Sequence, residues 1–228
     1  FSGYMLIRAF LVQSATGSPF AGMGGYVKVL TMLKTMALYA KLLLFPWPLC
    51  AYYDPSILSP TADPLEPGVI AGLLLVLGYF GTAALAWRKN RMVSALMLMV
   101  PLTLAPYLHI IPFRAIAGER FLYLPSAPLC GLAGLGLGHL VASARWHRPA
   151  VAATALLLLA LATVSVVRNQ DWRTNRTILS AKIRDFPASF DAHFAMGRYL
   201  LDRENRPKEA IPYLQQAVTI WPGFDLAR

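Results

Sequence analysis

Arg114, Glu119, Arg120 and Tyr123 crowd into the stretch IIPFRAIAGERFLYLPS at 110–126, with His109 immediately before it. A guanidinium presents a planar fork of donors that matches phosphate oxygens, so two arginines so close together suit an anionic head group. Glu119 fits either of two tasks there, orienting Arg120 or accepting the hydroxyls of a polar ligand. His109 has a near-neutral reference pKa and is the candidate for shuttling a proton; its plainer reading is an interfacial histidine held by hydrogen bonds. The plainer reading of the arginines is contact with lipid head groups, with Glu119 paired to one of them.

These residues sit in a polar break between two apolar segments, each long enough to cross a bilayer. The 228-residue chain is 57% hydrophobic and only 14% charged, with a mean hydropathy of +0.50, whereas ordinary globular chains carry about a quarter charged residues. The fold class expected is all-α, a polytopic transmembrane helical bundle followed by a soluble helical hairpin. The formal charge of +10 is scattered over loop ends without interleaved aromatics, which fits positive-inside bias and not a nucleic-acid partner. Cys50 and Cys130 make neither a metal spacing nor a disulfide framework and read as two buried thiols, so no metal site is expected.

Residues 1–67 read as an outer-face connector that holds an interfacial or re-entrant helix. The first part, 1–12, looks like the end of an apolar segment closing near Arg8. In 27–45, Lys28, Lys34 and Lys41 share one arc with Thr31 and Thr35, while Met32, Leu33, Met36, Ala40 and Leu44 fill the other side. That pattern predicts a helix lying in the membrane interface; the alternative is a span with snorkelling lysines. Pro46 and Pro48 end it, among the belt aromatics Trp47, Tyr52 and Tyr53. The loop at 51–67 carries Asp54, Asp63 and Glu66 but no cation, which places it away from the cytoplasm.

Four transmembrane helices are expected over 68–167. The first, 68–87, is uncharged and matches a hydrocarbon core of about 30 Å; it ends in the basic turn of Arg88, Lys89 and Arg91. The second, 92–112, is bent by Pro101 and Pro106. The third, 121–143, runs to a second basic turn at Arg145, His147 and Arg148, and the fourth, 151–167, returns. GLAGLGLG at 131–138 lies inside an apolar helix, so it reads as small-residue helix packing through Gly134 and Gly138 and not as a phosphate loop.

After Arg168 the composition turns polar, and 168–228 is expected to be an extracytoplasmic helix plus one helical repeat. A single amphipathic helix is predicted over 171–186, with Trp172, Ile178, Leu179 and Ile183 apolar. PASFDAHFAMGRYLLDRENRPKEAIPYLQQAVTIWP then resembles a tetratricopeptide repeat. Ala192, Met196, Gly197 and Leu200 fit its first helix, and Ala210, Tyr213, Leu214, Ala217 and Pro222 its second helix and stop. The fit departs by one extra residue in the turn at 202–207 and by His193. One repeat cannot bury its faces alone, so further repeats are expected in a longer parent chain.

The order KLLLFPWPL, GERFLYLPS, RNQDWRTN and then the repeat resembles the C-terminal membrane half of the transmembrane and tetratricopeptide-repeat proteins. These belong to the GT-C glycosyltransferase superfamily and are similar to protein O-mannosyltransferases. The resemblance implies transfer of a sugar, typically mannose, from a polyprenyl-phosphate carrier to protein hydroxyls on the non-cytoplasmic side. The membrane would be the bacterial inner membrane or, in a eukaryote, the endoplasmic reticulum, with the repeat on the periplasmic or lumenal side binding an acceptor or partner protein. The carrier's tail would lie between helices and its phosphate against Arg120 and Arg114. The catalytic acidic residue of such enzymes lies in the first outer loop, so this chain is expected to be a fragment without it, and the catalytic residue is unassigned. Besides the lipid-linked sugar no cofactor is implied. Two other readings stay open: a non-catalytic membrane-anchored repeat scaffold, and an envelope polysaccharide ligase or polymerase.

Overall fold

Eight α-helices carry the residues that the computed structural model describes, which are 20, 22–50, 53–109 and 116–222. Arg114, Tyr52 and the 1–12 segment lie outside the described residues. The fold is all-α; among the described residues the one extended feature is an isolated antiparallel bridge between Tyr53 and Ala117. The chain divides into two compact units, 1–133 and 134–228.

In the first unit, α1 (Gly25–Leu44) packs along α2 (Pro67–Lys89). Gly72 makes that packing close. A Cβ at this position would collide with the Leu33 carbonyl oxygen, so only the smallest residue lets the two backbones approach. The 53–66 loop covers part of the lysine and threonine arc of α1, the arc that the sequence reads as the polar side of an interfacial helix. Thr31 and Thr35 are fully buried. Their hydroxyls bond back to the Val27 and Thr31 carbonyls, and Thr31 Oγ1 also accepts the Thr61 N–H at 3.1 Å. Lys34 meets Glu66 at 2.7 Å and the Ser59 carbonyl at 3.1 Å. Buried hydroxyls need partners; both find them within α1, and the 53–66 loop, folded over the arc, adds the Thr61 N–H to Thr31. The Lys34 ammonium, by its hydrogen bond, holds the Glu66 carboxyl below the usual carboxylate range.

Asn90 links α2 to α3 (Arg91–Leu104) as a single residue, and its side chain caps α3 by accepting the Met92 and Val93 N–H groups. So short a link makes an antiparallel hairpin, which Ser94 ties by donating to the Ala83 carbonyl and Tyr79 by donating to that of Met97. The second predicted span, 92–112, is not realised at that length among the described residues. Pro101 leaves its turn one donor short, and a helix interrupted so near its end gives way to the 3-10 turn Ala105–Tyr107. At about 1.5 Å per residue, α3 reaches only about 21 Å, short of a bilayer core. Among the described residues, three helical stretches are long and apolar enough to cross a membrane, Pro67–Lys89, Glu119–Ala142 and His147–Asp171. Their leucines and valines are largely exposed, as lipid-facing side chains are.

The 3-10 turn Glu119–Leu122 leads into α4 (Tyr123–Ala142). The close packing expected of its glycines occurs at Gly131, where a Cβ would touch Leu96 at 3.5 Å. Gly134 and Gly138 have no atom within 4 Å of that position. Cys50 is buried as predicted, but Cys130 is exposed on α4.

In the second unit, α5 (His147–Asp171) is flanked by the exposed Trp146 and Trp172, the positions that interfacial aromatics take. The single helix predicted over 171–186 is split. Thr174 accepts the Thr177 N–H and Thr177 returns the bond to the Thr174 N–H, a capping box that stops α5 and starts α6 (Asn175–Asp185) afresh. The arm continues as α7 (Phe190–Asp202), capped by Ser189, and α8 (Pro207–Ile220). Met196, Leu200, Ala210 and Ala217 are buried between them, and Leu179 and Ile183 of α6 pack on that core. Gly197 lets α7 approach α8 closely, since a Cβ there would come within 2.6 Å of the Leu214 side chain. Pro222 lies in the turn that follows α8.

Candidate functional site

The segment from Ile116 to Phe121 is buried apart from Glu119, which is half-buried, and Arg120, which is exposed. Distant parts of the chain fix its backbone. The Tyr53 N–H donates to the Ala117 carbonyl at 2.8 Å, the Gly118 N–H donates to the Tyr39 hydroxyl at 3.4 Å, and the Cys50 N–H donates to Glu119 Oε1. His109 Nε2 lies 3.2 Å from the Ile116 carbonyl. Its backbone is left-handed, at φ 55, and its ring meets Phe20 edge-on at 4.9 Å. Phe121 stacks on Tyr107 with centroids 4.5 Å apart.

Arg120 rises from this anchored turn with its guanidinium 5.2 Å from the centre of the Phe121 ring, a cation–π contact. Among the described residues it is paired with no carboxylate. Its neighbour Glu119 makes no ion pair with it and accepts the Cys50 N–H. Tyr123 is 81% exposed at the start of α4. His109 is buried, at 1% exposure, so the sequence-predicted site residues separate into an inner anchor and an outer rim of Arg120 and Tyr123.

Beside this turn an apolar groove of about 840 Å³ opens between α1, α2 and α3, with Leu122 and Leu129 closing one wall. That volume is in the range of small-molecule sites. The apolar arc of α1, including Met32, Leu33, Met36, Ala40 and Leu44, lines it. The groove follows α1 from Gly25 to Leu44, about 30 Å at the helical rise, so it offers a single extended hydrocarbon chain a continuous apolar wall. Tyr39 joins groove to turn, with its ring in the wall and its hydroxyl on Gly118. Burial pushes its phenol up to about 12, while the Gly118 N–H and the Arg120 guanidinium pull the other way. Sequence reasoning missed Tyr39, although Thr31, Thr35 and Tyr39 recur every fourth residue and mark one line of hydroxyls on the helix.

Over 111 residues, 48% of this chain and 12% of the relative, the sequence is 34% identical to the Protein O-mannosyl-transferase Tmtc3 of Drosophila melanogaster. It is 31% identical over 91 residues to the Protein O-mannosyl-transferase TMTC4 of Mus musculus, covering 40% of this chain and 12% of that protein. The chain resembles the TMTC O-mannosyl-transferases. A third relative, the Protein O-mannosyl-transferase Tmtc2 of Drosophila melanogaster, is 30% identical over 48% of this chain and 11% of its own length. The chain thus matches only a small part, 11% to 12%, of the length of these TMTC relatives. No family model matches it, and no solved structure does. The three long apolar helices among the described residues fit a membrane protein.

Proposed function

We propose that this chain is the donor-binding membrane part of a glycosyltransferase of the GT-C type. It transfers a sugar, mannose by analogy with the relatives' names, from a polyprenyl-phosphate carrier to protein hydroxyls on the non-cytoplasmic side. The observation that carries the reading is Arg120, a guanidinium without a carboxylate partner among the described residues, beside a long apolar groove. The groove suits the carrier's single chain, and the guanidinium suits its phosphate. Arg114 is assigned to the same phosphate and Tyr123 to the rim. As the acceptor hydroxyl attacks the anomeric carbon, the bond from that carbon to the phosphate oxygen breaks. The phosphate leaves with the electron pair, and a cation held beside it stabilises that developing charge.

The acceptor's proton needs a base, and none is assigned. Asp54 is buried and bonded to the Ser56 N–H, and Asp171 is paired with Arg168, so neither supports that role. His109 is the proton-shuttle candidate, although its burial and its contact with the Ile116 carbonyl suit an anchor better. The basic turns at 88–91 and 145–148 support a cytoplasmic location for those ends and a periplasmic or lumenal one for the arm. We assign α7 and α8 to a tetratricopeptide repeat that holds the acceptor or a partner protein.

In the full-length protein, Arg120→Ala is expected to lower mannose transfer from polyprenyl-phosphate mannose to a protein acceptor by about 10²- to 10³-fold, the usual cost of losing one transition-state charge stabiliser, with expression unchanged. An unaltered transfer rate removes the phosphate assignment.

A further inference from the structure

Tyr39 stands where the apolar groove meets the turn that carries Arg120. Two turns before it on α1, Thr31 directs its hydroxyl proton to the Val27 carbonyl, and one turn before it Thr35 does the same to Thr31. Tyr39 reaches clear of its own helix and places its oxygen on the Gly118 N–H at 3.4 Å. At 2% exposure it is closed off from water, so this hydroxyl is the partner available to a buried backbone donor that would otherwise be unsatisfied. Gly118 precedes the 3-10 turn that begins with Glu119 and Arg120, and the Phe121 N–H closes that turn on the Gly118 carbonyl at 3.1 Å. A shift of Gly118 therefore moves the residue from which the guanidinium projects.

We propose that Tyr39 is a positioning residue for an anionic amphiphile. By holding Gly118 it sets the turn that presents Arg120 to the charged head of a ligand whose chain lies along the groove. The assignment rests on the donor-site reading given above and adds the device by which head-group selectivity is built. The ring supplies wall to any apolar chain, whatever its head. The hydroxyl acts through Gly118 and Arg120, so it matters to a phosphate and not to an alcohol. Tyr39→Phe separates the two, because it keeps the wall and deletes the hydroxyl.

The test uses the full-length protein in lipid nanodiscs, with farnesyl phosphate and farnesol as probes, in four forms: unaltered, Tyr39→Phe, Arg120→Gln and the double variant. The unaltered protein is expected to prefer farnesyl phosphate. Tyr39→Phe should weaken farnesyl phosphate binding by about 2- to 10-fold, the range of one net hydrogen bond, and leave farnesol binding as it was, which also reports an intact groove. In the Arg120→Gln background the same substitution should change neither probe. An equal loss on both probes reduces Tyr39 to wall, and a full loss that persists without Arg120 disconnects it from the guanidinium; either result overturns the proposal, as does no loss at all. If the unaltered protein fails to discriminate between the probes, the donor-site reading falls and this one with it. If Arg120→Gln abolishes discrimination and Tyr39→Phe does not touch it, the role of Tyr39 falls alone.

Discussion

In the arm, cations meet carboxylates. Arg168 lies between Asp171 and Asp185 at 3.0 and 3.2 Å, Arg184 reaches the same two acids, Lys182 meets Asp191 at 3.1 Å, and Arg176 meets Glu204 at 3.0 Å. In the groove unit, Arg120 has a carboxylate as its sequence neighbour and yet, among the described residues, is paired with none, while Glu119 accepts the Cys50 N–H. The difference teaches what each charge is for. The side chains of Asp185 and Arg168 are 6% and 13% exposed, and a charge so far out of water is tolerated only with its counter-charge present. This cluster therefore fastens α6 to the end of α5. An exposed guanidinium needs no such partner to be stable, so leaving it uncompensated costs the fold little and, on the proposed reading, leaves its donors for a ligand.

The groove unit depends most on steric fit, and Gly72→Val is expected to have the largest effect. Its side chain would meet the Leu33 backbone, which cannot rotate away. The loss should exceed the roughly 1–3 kcal/mol of ordinary overpacking, read as a collapse of the melting transition of the full chain in detergent micelles. The contrast between the two charge patterns is sharpened next. Asp185→Asn should cost about 1.5–3 kcal/mol, the scale of a charged hydrogen bond, whereas Arg120→Gln should stay within about 0.5 kcal/mol, as exposed positions do. Equal melting losses for these two variants would break the distinction between a structural and a ligand-facing cation.

The smallest effect concerns Glu66. Its folded-state pKa is depressed by Lys34, so its contribution is fully present above the unfolded value of about 4.3 and is lost as pH falls through the lower folded value. Melting scans between neutral pH and pH 3 should show an acid-side loss of no more than about 1 kcal/mol, since the pair is partly exposed. Lys34→Met should erase that loss; an unchanged acid limb would show that the pair does not hold the 53–66 loop.

Much of the helical layout was legible because its signals are local. The apolar runs at 68–87 and 151–167 give long helices, and the apolar arc of α1 is the face that lines the groove. Prolines mark where α1 ends and where α3 gives way. What covers the polar arc of α1 was not legible, because periodicity reports polarity and not which loop folds over it. The 171–186 helix reads as continuous because a capping box competes with helix propagation only once the backbone has turned.

By itself the sequence determined the helical class, apolar segments at 68–87, 121–143 and 151–167 that became long helices, and an arginine-bearing break before the second of them, since hydropathy and period are properties of adjacent residues; of the four spans it implied, the one at 92–112 is not realised at that length among the described residues. Only the tertiary structure decided that Glu119 serves Cys50, 69 positions away, and that Gly118 is held by Tyr39, 79 positions away. A hydrogen bond is made by whichever donor and acceptor the packed chain brings within about 3 Å. That choice depends on how α1 and the 46–53 loop pack and is written in no local pattern.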